Sequence, residues 1–457
     1  MPVAHPPSDD GPDSPAAWRR LMVSLALMTL GASGMYVVSV VIPEIQAEFG
    51  ASRAEASLPY TLTMIGFGLG GVMMGWLTDR RGIAVPLLIG GAGLGVGFVA
   101  AGASPSLIAF ALAQGLLMGL LGVSATFAPL MADTTLWFAR RRGIAVAICA
   151  SGNYLGGALW PPVVQALVEA FGLRVAYAVC GVICLATMLP LALLMRRRPP
   201  AQPPEQVAPT EPAVARVVSP TQAAAATQAA AAAQAANATQ AATVPAPADV
   251  LASPADRPLG LAPNALLVLL CVAGVACCVA MAMPQVHIVA YCTDLGFGAV
   301  HGAQMLSVML GSGIVSRLLS GWIADRIGGL RTLLLNAVLQ CVALAMFVPF
   351  DGLVSLYLLS LLFGLFQGGL VPSYALVVRE LYPPHQVGSR VAIVITCTML
   401  GMALGGWLSG VLFDLTGGYR AAFVNGVAWN LVTIAVAVML VRRAPRRHPD
   451  RRIALAG

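Results

Sequence analysis

The feature that most constrains this chain is a succession of twelve apolar runs, each long enough to cross a bilayer, ordered as six, a break, and six more. They fall at 19–44, 57–77, 83–103, 106–133, 143–168, 173–195, 262–292, 300–323, 331–350, 353–378, 388–413 and 420–442. A helix rises about 1.5 Å per residue and the hydrocarbon core is about 30 Å thick, so about 20 residues make one crossing. Lipid offers no partner for backbone hydrogen bonds, and runs of this length satisfy their own as α-helices. Hydrophobic residues make up 58% of the chain and charged ones only 10%, a balance that a water-facing surface cannot absorb. The expected fold class is an all-α membrane protein of twelve transmembrane helices in two six-helix bundles. A secreted disulfide scaffold and a soluble dehydrogenase are excluded. So is a nucleic-acid binder, despite the net charge of +7.

The placement of charge orients the chain. All 26 basic residues are arginine, so no lysine is available for a Schiff base or an ammonium counter-ion. Together with heavy alanine and glycine usage, this points to a GC-rich bacterial genome. When the loops are assigned alternately to two sides, 22 arginines fall on one side and only Arg53, Arg174 and Arg420 on the other, with Arg317 inside a run. The positive-inside rule then puts both termini and the central break in the cytoplasm. The expected organisation is a tail over 1–18, a bundle over 19–195, a linker over 196–258, a second bundle over 259–442 and a tail over 443–457. Asp9, Asp10 and Asp13 stand where a signal peptide needs positive charge, so the first run is expected to stay in the protein. The linker is rich in Pro, Ala and Gln and reads as a low-complexity tether. The nine cysteines lie in apolar stretches without paired CxxC spacing, which suits packing rather than metal or redox work.

The two halves echo each other. After the second run stands Gly75-Trp-Leu-Thr-Asp79-Arg80-Arg81-Gly82, and after the eighth Gly321-Trp-Ile-Ala-Asp325-Arg326-Ile-Gly328. Between the fifth and sixth runs stands Glu169-Ala-Phe-Gly-Leu-Arg174, echoed by Asp414-Leu-Thr-Gly-Gly-Tyr-Arg420. Two coincidences in register indicate a duplicated six-helix unit.

The duplicated GxxxDRxG pattern resembles the signature of the major facilitator superfamily, and the resemblance covers all twelve runs. It implies two pseudo-symmetric bundles and a cytoplasmic gate built from Gly75, Asp79, Arg80 and Gly82 with Gly321, Asp325, Arg326 and Gly328. In that family the acidic residue meets the positive end of a helix from the opposite half and latches the cytoplasmic side. Proton-coupled drug antiporters fit less well, because Ala111 replaces the arginine three residues before Gln114-Gly115 and the fifth run lacks their GPxxGG motif. The stretch Trp137-Phe138, Arg140 to Gly143 and Ser151-Gly152, with Gly156-Gly157 and Pro161-Pro162 after it, is similar to bacterial monocarboxylate-porter-like carriers. Arg317-Leu-Leu-Ser-Gly321 resembles the arginine those porters use for the substrate carboxylate. This chain departs from them in two places. Gly313 stands where they have an acidic residue one turn earlier, and the lysine of their first span has no counterpart. The eleventh run, 391–413, lacks the second cation of oxalate-type exchangers, which implies one carboxylate rather than two.

Arg317 is the leading binding candidate, because a mid-span arginine costs about 2.5–3.5 kcal/mol even on lenient insertion scales. The competing reading is that it lies only about 8 Å from the helix end and snorkels to the surface. Tyr36, Gln114, Asn153, Tyr154, Gln285, His287 and Gln367 are the other polar groups near mid-span. They sit on the first, fourth, fifth, seventh and tenth runs, which line the cavity in the resembled family. Each is a candidate substrate ligand or else interhelical glue worth about 0.6 kcal/mol. His287 is either a titrating group or a packed one. Asp133 is expected to pair with Arg140 to Arg142. The glycines at 90, 91, 93, 95 and 97 suit close helix packing, since no strand precedes them as a dinucleotide loop requires. No carboxylate lies near the centre of any run, so coupling to protons would fall to the substrate carboxylate at Arg317 or to His287.

These features point to a secondary carrier of a small organic anion in the bacterial inner membrane, monomeric and without cofactor or metal. Its expected partners are the anion, a coupling proton and the lipid bilayer, with no nucleic acid. The alternatives are an efflux carrier for another small molecule and a transporter-like sensor. An integral-membrane enzyme is disfavoured by the lack of an HExxH motif, a nucleophile elbow or paired mid-membrane carboxylates.

Overall fold

The computed structural model describes residues 12–138, 141–197 and 258–444. The expected tether between 198 and 257, Arg140 and the tails 1–11 and 445–457 lie outside the described residues. The chain divides into a unit of residues 1–200 with 263–457 and a second of 201–262. The described part of the second unit contains a 3-10 turn, Pro258–Gly260.

Membrane-length helices account for nearly all of the first unit. They are α1 Pro15–Val40, α2 Arg53–Arg81, α3 Ala84–Gly102 and α4 Leu107–Trp137. A continuous apolar stretch, Gly143–Leu194, follows. Its 52 residues would measure about 78 Å as one helix, far more than a bilayer, and it is interrupted at Gly172, where φ is 78°. It therefore supplies two crossings, α5 over 143–171 and α6 over 173–194. The second half contains α7 Pro263–Asp294, α8 Ala299–Ile327, α9 Gly329–Met346, α10 Leu353–Leu381, α11 Gln386–Thr416 and α12 Arg420–Arg443. Twelve crossings are thus present among the described residues, as the apolar runs predict.

Local chemistry sets the helix ends. Ser52 opens α2 with a capping box: its hydroxyl accepts from the Glu55 N–H at 3.2 Å, and Glu55 accepts from the Ser52 N–H at 2.9 Å, so two otherwise orphaned donors are satisfied. At the other end α2 stops on Gly82 (φ 78°, ψ 167°), and α8 stops on Gly328 (φ 88°, ψ 160°). Only glycine adopts this region without strain, which explains the last residue of each signature. The arginines before them repeat as well, Arg80 lying 3.9 Å from the Trp76 ring centroid and Arg326 3.3 Å from that of Trp322. The duplication is thus visible down to single side chains.

Three helices are discontinuous. The first crossing breaks at Ala32, between Pro15–Gly31 and Ser33–Val40. In α4 a π-helical stretch, Ala113–Val123, contains Gln114, and the chain kinks again at Phe127 (φ −109°, ψ −82°). In α10 the break falls at Gly368 and Gly369, between Leu353–Gln367 and Leu370–Leu381. α4 and α10 are the fourth helix of each bundle, so the irregularity is itself duplicated.

Asp133 has a partner that sequence proximity does not suggest. Its carboxylate accepts from Arg20 Nε at 2.8 Å and Nη2 at 2.9 Å, and Arg20 Nη2 also donates to the Met195 carbonyl. The expectation of a pair with Arg140 to Arg142 is corrected to a buried fork from α1. Arg20 is buried on the same helix face as Leu21 and Ser24, and it ties α1, α4 and the end of α6 together.

Candidate functional site

Arg317 reaches across to the other half rather than along its helix towards the end. Helix α8 runs to Ile327, so Arg317 lies ten residues, about 15 Å, from that end. Its Nη1 donates across the bundle interface to the carbonyl of Ala150 on α5 at 3.0 Å, and its guanidinium lies 4.5 Å from the ring centroid of Tyr154. Nε is buried and has no hydrogen-bond partner. Among the described residues no carboxylate pairs with this arginine. A guanidinium held by one carbonyl and one ring face keeps an N–H edge open, shaped for the two oxygens of a carboxylate.

The groups around it are set by α5 and α1. On α5, Asn153 Oδ1 accepts from the Tyr36 hydroxyl of α1 at 3.1 Å, and Asn153, Tyr154 and Tyr36 are all buried. The Tyr154 ring occupies the space in front of Gly313, where an added Cβ would overlap its Cε1 and Cδ1 atoms. That contact is the physical reason no side chain stands one turn before Arg317. The structure therefore brings together Arg317, Tyr154, Asn153 and Tyr36 from both bundles.

The remaining candidates lie in separate contacts. Gln285 of α7 donates to Gln367 Oε1 of α10 at 2.8 Å, and Gln367 keeps a buried, unpartnered Nε2. Gln114 donates to the Tyr177 hydroxyl of α6 at 2.9 Å within the first bundle. His287 is fully buried, with Nε2 2.8 Å from the Gly406 carbonyl and Nδ1 3.0 Å from the Tyr419 hydroxyl. The carbonyl can only accept, so the Nε2 must carry the proton and Nδ1 accepts from Tyr419. Burial raises the Tyr419 phenol above its ordinary range, so it keeps the proton it donates. Both ring nitrogens of His287 are thus occupied by packing contacts. Among the described residues no group of three His, Cys, Asp or Glu side chains is arranged to hold a metal.

The two ends of the bundle differ. At the arginine-poor end, Nη2 of Arg53 at the start of α2 donates to both carboxylate oxygens of Asp294 at the end of α7, at 2.8 and 2.9 Å. Asp414 at the end of α11 accepts from the backbone N–H groups of Arg53 at 2.9 Å and Ala54 at 2.8 Å. A carboxylate from one half thus caps the positive N-terminus of a helix from the other. Arg53 also lies 4.5 Å from the Phe413 ring centroid and 5.6 Å from that of Tyr419. Beneath this, Ser307 of α8 donates to the Ala158 carbonyl of α5. At the arginine-rich end Asp79 and Asp325 are exposed and make no hydrogen bond among the described residues, and a Cβ at Gly75 or Gly321 would meet open space. The latch expected at that end is therefore unmade here, while a chemically similar one closes the opposite end.

Sequence reasoning placed Arg53 and Asp414 only as loop charges and left Asp294 unread. One signal was available. Gly152-Asn-Tyr-Leu-Gly156-Gly157 on α5 is matched by Gly401-Met-Ala-Leu-Gly405-Gly406 on α11. Gly152 and Gly156 lie against Leu25 and Thr29 of α1, and Gly401 and Gly405 against Val275 and Val279 of α7. The final glycine of each set faces a tyrosine, Tyr36 at 2.8 Å and Tyr60 at 2.9 Å from an added Cβ. The first two glycines of each set thus pack α5 on α1 and α11 on α7 within a half, while the last faces the other half, Gly157 towards Leu310 of α8 and Gly406 towards Tyr60 of α2.

The sequence profile of the Major Facilitator Superfamily matches residues 22–361 and 337–455. A protein named monocarboxylate transporter 13, from Bos taurus, is 26% identical over 366 residues, covering 80% of this chain and 75% of its own length. The MFS-type transporter pynF of Aspergillus niger is 24% identical over 400 residues, covering 87% and 81%. Among solved structures, a bacterial homolog of the human lysosomal transporter Spinster, inward-facing and occupied, superposes with a TM-score of 0.68 at 14% identity, covering 94% of this chain and 98% of that one. At that identity the likeness speaks for the fold alone.

Proposed function

The chain belongs to the Major Facilitator Superfamily, is a multi-pass membrane transporter and not an enzyme, and on that premise we propose that it moves a small monocarboxylate by alternating access. The observation that carries this reading is Arg317, a guanidinium between the two halves with an unpartnered Nε and no acidic partner among the described residues. The cost of holding that charge in the membrane is offset when a carboxylate arrives. Tyr154 and Gly313 form its wall, while Tyr36 and Asn153 supply further polar contacts; Gln285 and Gln367 are a second polar pair from α7 and α10 available to the rest of the molecule. The relatives named monocarboxylate transporters support the same substrate class. Because Arg317 is the only formal charge in this group of residues, the binding site favours one negative charge over two.

In this reading the protein sits in a bacterial inner membrane with its arginine-rich end, both termini and the 196–258 linker in the cytoplasm. The lack of a mid-span carboxylate makes the substrate itself the carrier of any coupled proton. Nη1 of Arg317 holds Ala150 across the bundle interface, so an anion drawn to the remaining N–H edge acts directly on a contact between α8 and α5 and couples occupancy to movement of the halves.

Uptake of a panel of labelled monocarboxylates into proteoliposomes tests the reading. Charge-assisted hydrogen bonds are worth about 1.5–3 kcal/mol, so Arg317→Gln is expected to weaken affinity at least tenfold and nearly abolish flux while the protein purifies normally. Arg317→Lys, which keeps the charge and loses the fork, falls between. An Arg317→Gln protein that transports at the wild-type rate and affinity overturns the assignment. Binding without flux in the wild type assigns the chain to sensing instead.

A further inference from the structure

At the arginine-rich end of the first bundle, the starts and ends of α1, α4 and α6 surround a crevice of about 290 Å³ whose lining includes Arg19, Arg20, Val23, Trp137, Leu194 and Arg197. Its three arginines are not equivalent. Arg20 is neutralised by the fork to Asp133 and lies 4.6 Å from the Trp137 ring centroid. Arg19 and Arg197 are exposed and have no hydrogen bond or ion pair among the described residues. The indole N–H of Trp137 is buried and has no acceptor among the described residues, and a buried donor left unpaired in a native fold calls for a partner. Below the cations the lining turns apolar, with Val23 half-buried and Leu194 63% exposed.

We infer that this crevice is a binding site for an anionic phospholipid of the leaflet at the arginine-rich end. The phosphate sits between Arg19 and Arg197, a headgroup or ester oxygen reaches the Trp137 N–H, and an acyl chain runs down over Val23 and Leu194. The positive-inside rule accounts for arginines at this end but not for two unpaired ones meeting over a cavity with an orphaned indole donor. The exposed Leu194 separates the two sources of phosphate, since a soluble ion leaves that apolar wall uncovered and a lipid buries it. The crevice adjoins the fork that joins Arg20, Asp133 and the Met195 carbonyl, so a lipid seated there braces the joint between α1, α4 and α6.

Native mass spectrometry of the purified full chain, titrated with phosphatidylglycerol, phosphatidylcholine and inorganic phosphate, tests the inference. Each arginine near a membrane surface is worth about 1 kcal/mol towards an anionic lipid, so the double variant Arg19→Gln with Arg197→Gln is expected to retain phosphatidylglycerol about thirtyfold more weakly. The matched variant Arg442→Gln with Arg443→Gln removes the same charge at the end of α12 and is expected to leave retention unchanged. Equal losses in the two variants assign the effect to the general surface field and overturn the site. Retention of phosphatidylcholine as strong as that of phosphatidylglycerol overturns it too. Binding of inorganic phosphate as tight as that of phosphatidylglycerol overturns the lipid assignment. The readout is independent of transport, so its failure leaves the carboxylate reading of Arg317 untouched.

Discussion

Arg53→Gln is expected to release the closed, arginine-poor end of the transporter. The side chain of Arg53 is 6% exposed and that of its partner Asp294 33% exposed. Breaking a fully buried pair costs about 3–5 kcal/mol, and an exposed one is worth about 0–1 kcal/mol. A pair buried on one side only falls between them, at about 2 kcal/mol. The cation–π contact with Phe413 adds about 0.5–1 kcal/mol. Glutamine keeps the backbone N–H that Asp414 caps, so that part of the contact survives. The total, about 2.5–3 kcal/mol, changes the ratio of closed to open forms about seventy- to a hundred-and-sixtyfold. Spin labels at Ala51→Cys and Leu415→Cys, in a background without the nine native cysteines, report the separation of α2 from α11 by pulsed dipolar spectroscopy. The wild type is expected to show one short distance, and Arg53→Gln a second, longer population. Asp414→Asn should produce a smaller shift in the same direction. An unchanged distance distribution in Arg53→Gln refutes the view that this ion pair holds the end shut.

Other outcomes follow from the same contacts. Asp79→Asn should slow turnover in proteoliposomes without lowering the melting temperature, because the carboxylate makes no hydrogen bond here and acts only when the arginine-rich end closes; unchanged turnover removes the latch. His287→Gln should lower thermal stability by about 1–2 kcal/mol through its two hydrogen bonds and leave the pH profile of uptake in place; a lost pH dependence makes the histidine the proton carrier. Gly313→Ala should cost about 1–3 kcal/mol by overpacking against Tyr154, measured as a drop in unfolding midpoint together with weaker substrate affinity. A cysteine at Ala230→Cys should resist a membrane-impermeant thiol reagent in intact cells, and ready labelling there reverses the proposed orientation.

The twelve crossings were legible because membrane thickness imposes a length on every helix, and the duplicated signature was legible because it is contiguous. Helix ends ran past the apolar runs wherever capping extended them, as at Ser52 before α2 and Ile327 after α8. That extension puts the end of α8 farther from Arg317 than its run implied. The break at Ala32 left no single-residue signal, whereas Pro129 just after Phe127 and the Gly368-Gly369 pair are helix-weakening residues that the apolar runs passed over. Contacts between distant segments were the least legible. Arg53 reaches partners 241 and 361 residues away, and Asp133 pairs with Arg20, 113 residues distant, rather than with the arginines just after it. Polarity near mid-span named Tyr36, Asn153, Tyr154 and Arg317, but only the fold shows that they meet while Gln114 and His287 face elsewhere.

The ring of Tyr154 lying in front of Gly313 also restricts where this lineage can go. An acidic residue one turn before the arginine, as the monocarboxylate porters carry, would give the chain a titrating partner for Arg317. Mutation at position 313 alone meets the ring and is selected against before any new coupling chemistry appears. Replacing Tyr154 alone removes the guanidinium's aromatic face. Under the proposed carboxylate reading each change alone is expected to be harmful and the pair useful, which is reciprocal sign epistasis at a distance of one side-chain contact. The gap between this carrier and one with its own membrane carboxylate is therefore an adaptive valley two substitutions wide, crossed only by a double change or by a compensating shift of α5.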